Sequence, residues 1–392
     1  MPEAAVGDPT ADSGLPFAGL PPGTRIVICN WRDLRHPEGG GSELFVETVA
    51  QRLAADGHHV TLLCQHAEGA PADEVRDGVT YRRRGGRHSH YLRAALALAV
   101  RQTRADVVLD VQNGVPFLSR LVVGVPVVAL VHHVHREQWS VVFGPRVARV
   151  GWWLESRLGP ALYRGSRYIA VSEATRTELG TLGVDPSRVT VVHNGSPAPL
   201  APRTARSAEP RIVVLGRLVP HKRVEIALRT ARDLTARFPG LHVDVVGEGY
   251  WHEELVAEIG RLGIGDRVTL HGHVDEQTKA DLLASAWLLA LPSLKEGWGL
   301  AVVEAAALGT PAVAFAEAGG VRESIIDGVT GLLVPAGAGQ AAFTAAVAEL
   351  LGDRDRLARM GADARNQADR FTWAAAEAGV AAVMAAALHD AG

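Results

Sequence analysis

Chemistry-bearing residue types stand close together in the segment PSLKEGWGLAVVEAAALGTPAVA (292–314). An apolar run ends at Pro292, a loop carries Glu296, and Gly297 and Gly299 precede a helical pattern that holds Glu304. Glycines at a strand-to-helix turn let backbone N–H groups approach a phosphate, and the helix N-terminus favours negative charge there. Glu296 and Glu304 suit hydrogen bonds from sugar hydroxyls, as acidic residues read ribose in dinucleotide folds. Alone, the same residues describe an ordinary strand–turn–helix with solvated acids. A second segment changes the balance. VVLGRLVPHKRVE (213–225) puts Arg217 and Lys222 in the loop after another apolar run. A guanidinium grips phosphate bidentately and an ammonium acts as a mobile point charge, so the pair suits a diphosphate. Together these residues describe a site for a nucleoside diphosphate attached to a polyol.

GRLVPHK (216–222) with EGWGLAVVE (296–304) resembles the E-x7-E retaining glycosyltransferases of family 4, glycosyl transferases group 1. Further landmarks occur in order: GGGSE (39–43), AVSEATRTEL (170–179), VVHNG (191–195), VVGEG (245–249) and GGVRESIIDGVTGLLV (319–334). The resemblance covers nearly the whole chain from Thr24, and several ordered matches are far more specific than one Gly-rich loop. It implies an α/β chain with the GT-B fold, two Rossmann-like doubly wound domains facing across a cleft. It also implies transfer of a hexose, with retention, from a UDP- or GDP-sugar to the hydroxyl of a sugar, lipid-linked or small-molecule acceptor. No metal or other cofactor is expected. Residue by residue, Arg217 and Lys222 would neutralise the donor diphosphate as the sugar leaves. Glu304 would hold the ribose and Glu296 the transferred sugar. Gly297, Trp298, Gly299 and Leu300 would line the phosphate turn with backbone amides; Trp298 stands where the family more often has Phe. Gly39, Gly40 and Gly41 would offer more amides to the donor, although Pro-Glu-Gly-Gly-Gly is also a plain flexible turn. Within the same fold an epimerase or a phosphorylase is the close alternative. A module that binds a sugar nucleotide without reacting is a more distant one.

The segment VHHVHREQW (131–139) is a second centre. Three histidines within four residues of extended backbone converge poorly on a tetrahedral ion, so zinc is not expected. His133 fits a satisfied structural histidine. The resemblance aligns His132 with a strand-end histidine facing the acceptor and the transferred sugar, with His135 as a second acceptor-side candidate. Imidazole can donate to a hydroxyl near neutral pH. Asp353-Arg-Asp355 has the spacing of a metal-holding pair in another glycosyltransferase fold. It follows a helical run far from the other motifs and reads as helix-end charge, and the cationic diphosphate clamp makes a metal redundant.

The elements that must position these residues alternate between apolar runs and helical patterns, the mark of a parallel sheet covered by helices. In the first half the runs are 25–31, 58–64, 107–111, 127–133, 167–172 and 189–195, with a helix over 42–55. In the second they are 211–218, 242–249, 267–274, 287–293 and 311–315, with helices over 224–238 and 371–390. The chain has 392 residues, 47% hydrophobic and 21% charged, with net charge −3. That length accommodates two domains, and the balanced charge gives no case for nucleic acid. The expected division is a disordered leader (1–23), an acceptor domain (24–196), a linker (197–210) and a nucleotide-sugar domain (211–371). A last helix (372–392) crosses back to the first domain, as the resemblance implies. The leader lacks the basic start and apolar core of a signal peptide, and Cys29 and Cys64 lie inside apolar runs, so a cytoplasmic protein without a disulfide framework is expected.

Lysine occurs only at 222, 279 and 295, in a chain otherwise using arginine. Between Val79 and Ala105 there are seven arginines and no acid. Arg82, Arg83, Arg84 and Arg87 could rest on anionic headgroups at the inner face of the membrane or hold an acidic acceptor. A solvated loop and helix face is the plain alternative.

Overall fold

The structure, a computed structural model, describes residues 19–87, 89–100, 104–196 and 199–391. Most of the expected leader, Arg101 and residues 197–198 therefore lie outside the described residues. Two compact units are present: Met1–Gly195 with Thr372–Gly392, and Ser196–Phe371.

The first unit is built on eight strands: β1 (Arg25–Cys29), β2 (His59–Cys64), β3 (Asp73–Arg76), β4 (Val79–Arg83), β5 (Val107–Gln112), β6 (Val127–Val131), β7 (Arg167–Ala170) and β8 (Val189–Val191). Their order is β3-β4-β2-β1-β5-β6-β7-β8. All neighbours are parallel except β3 with β4. The second unit has β9 (Arg211–Leu215), β10 (His242–Val246), β11 (Val268–Gly272), β12 (Leu288–Leu291), β13 (Ala312–Phe315) and β14 (Gly331–Val334), all parallel, in the order β11-β10-β9-β12-β13-β14. Counted within the unit, that is the doubly wound order 3-2-1-4-5-6.

Burial on both faces explains why these strands read as continuous apolar runs. Side chains alternate along each strand. Ile212, Val214, Val313 and Phe315 enter one layer with helices Val224–Leu234 and Gly339–Leu351. Val213, Leu289, Ala312 and Ala314 enter the other, with helices Glu276–Ser285 and Leu300–Ala307. The C-terminal helix Trp373–Ala391 packs in the first unit, where Trp373 meets Phe45 at 6.2 Å and Arg167 donates to Asp390 at 2.9 Å.

Two sequence expectations change, at the β3–β4 segment and at Arg83, and the structure adds detail at the linker and at β14. The β3–β4 hairpin stands where a loop was read. Its turn is Asp77-Gly78, both at positive φ (49° and 78°), the pairing that a two-residue hairpin favours. Arg83 is not available to a headgroup. It lies on β4, fully buried, with Nε donating to Asp33 at 2.7 Å and Nη2 to Glu74 at 2.8 Å. Arg84 pairs with Asp73 at 2.5 Å, so acids outside the arginine-rich stretch neutralise part of it. The linker is strapped to the second unit: Arg206 donates to the Gly309 carbonyl at 2.6 Å, Ser207 N to Ser285 at 2.9 Å, and Trp287 Nε1 returns to the Ser207 carbonyl at 2.8 Å. Strand β14 has a weak sequence signal, because TGLLVP has only three apolar residues between a glycine and a proline.

Candidate active site

Where strand order reverses in an open parallel sheet, a crevice opens outside the carboxyl ends of the two flanking strands. In the second unit β9 and β12 flank that point. The loop after β9 carries Arg217 and Lys222, and the loop after β12 carries Glu296. Lys222 Nζ lies 2.6 Å from Glu296 Oε1, and their side chains are only 21% and 11% exposed. A cation and a carboxylate at one strand edge can serve the two ends of a sugar diphosphate, one facing phosphate and the other hydroxyl.

Both loops are braced. Gly216 N donates to the Val246 carbonyl at 3.0 Å and Leu218 N to Glu248 at 2.9 Å, which holds the half-buried Arg217 between them in sequence. Leu294 N donates to the His221 carbonyl at 2.8 Å, joining the β12 loop to the Lys222 loop. Arg223 completes the brace. Its backbone is left-handed (φ 48°), and its guanidinium donates to the carbonyls of Pro292 (2.8 Å) and Ser293 (3.0 Å). Sequence reading missed Arg223, since nothing local distinguishes it from the arginines elsewhere.

The glycine turn is sewn to the segment after β13. Glu296 N donates to the Ala318 carbonyl at 2.7 Å, and Gly320 N to the Glu296 carbonyl at 3.1 Å. Gly320 approaches so closely that a Cβ there would collide with the Gly297 carbonyl. Gly299, at φ 89°, turns the chain into the helix that begins at Leu300. The Trp298 side chain is buried with its ring edge-on to Phe371 at 4.8 Å, so this residue anchors the turn while its backbone forms part of it.

Glu304 sits on that helix and is held by a different cation. Lys279 Nζ lies 2.9 Å from Glu304 and 2.8 Å from Glu276. Burial pushes the Glu304 carboxyl up from its ordinary range, against the pull of Lys279. Burial works to lower the Lys279 ammonium, but Glu304 and Glu276 outweigh it and keep it charged. Lys279 was noted only as one of three lysines in the chain, and that rarity was the available signal.

The first unit reverses strand order between β1 and β5, and Asn113 at the end of β5 donates to Asn30 at the end of β1 (3.3 Å). The Gly39–Gly41 loop follows β1. Two of its three amides are engaged within the unit: Gly39 N donates to the His36 carbonyl and Gly40 N to the Glu43 carboxylate, each at 2.8 Å. The Gly40–Glu43 bond belongs to the cap of helix Gly41–Ala55, and Arg32 also holds Glu43 at 3.2 Å. His132, just past β6, is buried edge-on to Phe45, and its Nε2 has no hydrogen-bond partner among the described residues. Burial pushes its pKa down to about 4. His133 bonds Gln138 at 3.0 Å. His135 is set by Glu155, which accepts from its backbone N and its Nδ1, both at 2.9 Å, and from Trp139 Nε1 at 2.6 Å. Glu155 lies in a π-helical turn, Leu154–Leu158, a distortion frequent at functional sites and not legible from sequence spacing. Asp353 caps helix Arg354–Ala368 by accepting from Arg356 N at 2.8 Å. Among the described residues no group of His, Cys, Asp or Glu is placed to hold a metal ion.

Comparison with known proteins agrees with this division. Residues 39–198 match the family described as Glycosyltransferase Family 4, and residues 201–367 the one described as Glycosyl transferases group 1. A relative named D-inositol 3-phosphate glycosyltransferase 2, from Catenulispora acidiphila, is 31% identical over 95% of this chain and 96% of its own length. A D-inositol 3-phosphate glycosyltransferase from Nocardia farcinica is 36% identical over 56% of this chain; the match spans about half (52%) of that relative. Among solved structures, sucrose-phosphate synthase from Thermosynechococcus elongatus aligns with TM-score 0.76 at 20% identity, covering 90% of this chain and 96% of that one. HepE from Anabaena, solved with UDP-glucose, aligns with TM-score 0.71 at 20% identity, covering 90% and 97%. The full-length likeness to the Catenulispora protein decides the point: this chain belongs to the group 1 (family 4) glycosyltransferases, with the two-sheet α/β organisation of the GT-B fold.

Proposed function

We propose that the protein transfers a hexose, with retention and without a metal, from a nucleoside diphosphate sugar to an acceptor hydroxyl. The observation that carries this is the Lys222–Glu296 pair at 2.6 Å, at the strand ends where the order of the second sheet reverses. Lys222 and Arg217 take the diphosphate; Glu296, paired with Lys222, accepts from hexose hydroxyls; Glu304 accepts from ribose hydroxyls. The bond from the anomeric carbon to the diphosphate oxygen breaks, and its electron pair leaves with the phosphate, where the cations stabilise it. The acceptor oxygen bonds to the same face of that carbon, and its proton passes to the departing phosphate oxygen. His132 and His135 serve the acceptor. UDP is the favoured carrier, a choice supported by the UDP-glucose bound to HepE, which shares the fold. A polyol phosphate is the acceptor class that the relatives' names support. We further propose that the enzyme is cytoplasmic and works beside the inner face of the membrane.

Arg217→Ala and Lys222→Ala test the clamp. Each should lose about 2–4 kcal/mol of transition-state stabilisation, mostly in kcat. Turnover near that of the wild type in both, with folding intact, would overturn the assignment. Chelator should leave activity unchanged, and donor alone should yield neither an epimerised nucleotide sugar nor a phosphorolysis product on adding phosphate.

A further inference from the structure

Exposed apolar side chains are normal when scattered. Here they are concentrated. Of sixteen large hydrophobic residues exposed among the described residues, nine lie between Leu92 and Trp153 in the first unit. Helix His90–Ala99 turns Leu92 (65% exposed) and Leu96 (52%) outward, and Val100 (59%) continues the stripe at its end. Helix Pro145–Trp153 turns out Val147 (55%), Val150 (58%) and Trp153 (54%). The two helices start close together, since the Arg87 guanidinium, just before the first, lies 6.0 Å from the ring of Phe143, just before the second.

The charge around these stripes is predominantly positive. From Val79 to Leu154 the chain has eleven arginines and three acids. Asp106 pairs with Arg25 and Asp110 is buried against Ser119 and Tyr163, which leaves Glu137 exposed, while Arg83 and Arg84 are paired with Asp33, Glu74 and Asp73. Arg93 stands exposed between Leu92 and Leu96, while Arg146 and Arg149 flank Val147 and Val150. Beneath the first helix lies a cavity of about 260 Å³ lined by Arg82, Arg84, Arg93, His90 and Asp73, with Leu63 and Ala94 at its apolar side. Apolar side chains interleaved with arginine suit the boundary between headgroups and acyl chains, with guanidinium groups reaching to phosphate.

We propose that the first unit docks on an anionic bilayer through the Leu92–Leu96–Val100 and Val147–Val150–Trp153 stripes, seating a lipid headgroup phosphate in the Arg82–Arg84–Arg93 cavity. The proposal rests on the reading of an enzyme that works beside the membrane; it keeps Arg82 and Arg84 of the four clustered arginines at the headgroup, drops the buried Arg83, and adds two helix faces. No described helix is long and apolar enough to span a membrane, so the contact is with the surface.

The test is co-sedimentation of the whole protein with vesicles of phosphatidylcholine alone or mixed equally with phosphatidylglycerol. Binding should appear only on the mixed vesicles, fall as salt screens the charge, and persist in 10 mM inorganic phosphate or glycerol phosphate. Leu96→Asp and Trp153→Asp should each weaken it about tenfold or more; Arg93→Gln with Arg149→Gln, which leaves the apolar faces intact, should weaken it less. Circular dichroism and thermal unfolding of every variant report whether the first unit is folded, and calorimetric binding of UDP reports the second unit separately. Equal binding to both vesicle types, no binding to either, or wild-type binding by both aspartate variants would overturn the proposal. So would a dimer in light scattering that Trp153→Asp dissociates without vesicle binding, because a second copy would then cover the face. Complete displacement by free phosphate would assign the cavity to a soluble anion instead. Loss of sugar transfer with vesicle binding intact would count only against the transferase reading.

Discussion

Single residues in the second unit work as charge pairs, and each pair has an exposed use and a buried cost. Glu304 is almost enclosed, and Lys279 is what makes its charge tolerable. Lys279→Met should leave that carboxyl unpaired at a cost of about 1–3 kcal/mol, shared between stability and donor affinity. Calorimetric titration with UDP should show roughly tenfold weaker binding, while turnover at saturating donor changes little. His132 shows the opposite economy, a buried imidazole kept neutral. Its folded pKa of about 4 lies below the ordinary 6.5, so the unfolded chain binds the proton first as pH falls. Stability is therefore fully present above about pH 6.5 and is lost towards pH 4, by up to about 3 kcal/mol. Urea unfolding at pH 7 and pH 4.5 should show that loss in the wild type and a smaller one in His132→Phe.

Elements carry these residues only where backbones can approach. The β12 loop and the segment after β13 meet at Gly297 and Gly320. Gly320→Ala should force the Gly297 carbonyl aside, costing about 1–3 kcal/mol and displacing the turn that precedes Gly299. Gly260→Ala is the matched control. It lies inside helix His252–Leu262 with open space around it, and should stabilise the protein by about 0.5–1 kcal/mol. Thermal unfolding with a transfer assay would separate the two, and an active, undisturbed Gly320→Ala protein would show that the turn tolerates displacement. The helix entries were partly legible, because Ser172 and Asp275 cap their helices with side chains that favour that position. The Asp77-Gly78 pair carries a local hairpin signal of the same kind, beside arginines whose pattern alone suggests a solvated surface.

At the scale of the whole molecule, the last helix belongs to the unit that begins the chain. Val380, Val383 and Met384 are fully buried there. Met384→Ala should cost about 2–5 kcal/mol, felt in the first unit, with UDP affinity in the second unchanged. A parallel loss of UDP binding would show the two units unfolding as one.

Local chemistry determined what the sequence could tell. Alternating apolar runs and helical spacing announce a parallel α/β sheet because period and burial are properties of neighbouring residues. The order of glycines, cations and carboxylates in GRLVPHK and EGWGLAVVE announces a candidate site for the same reason. Tertiary structure alone decided the partners, because partnership joins residues far apart in the chain. Lys222 and Glu296 are 74 positions apart, Lys279 and Glu304 are 25, and Arg83 and Asp33 are 50. A charge read in sequence as solvated becomes structural once a distant carboxylate is folded against it, as at Arg83. In the glycine loop Glu43 turns back onto Gly40 and caps the helix, a contact that spacing alone does not show. Nor does spacing reveal which arginines stay outside, since that depends on which helix face the sheet leaves uncovered.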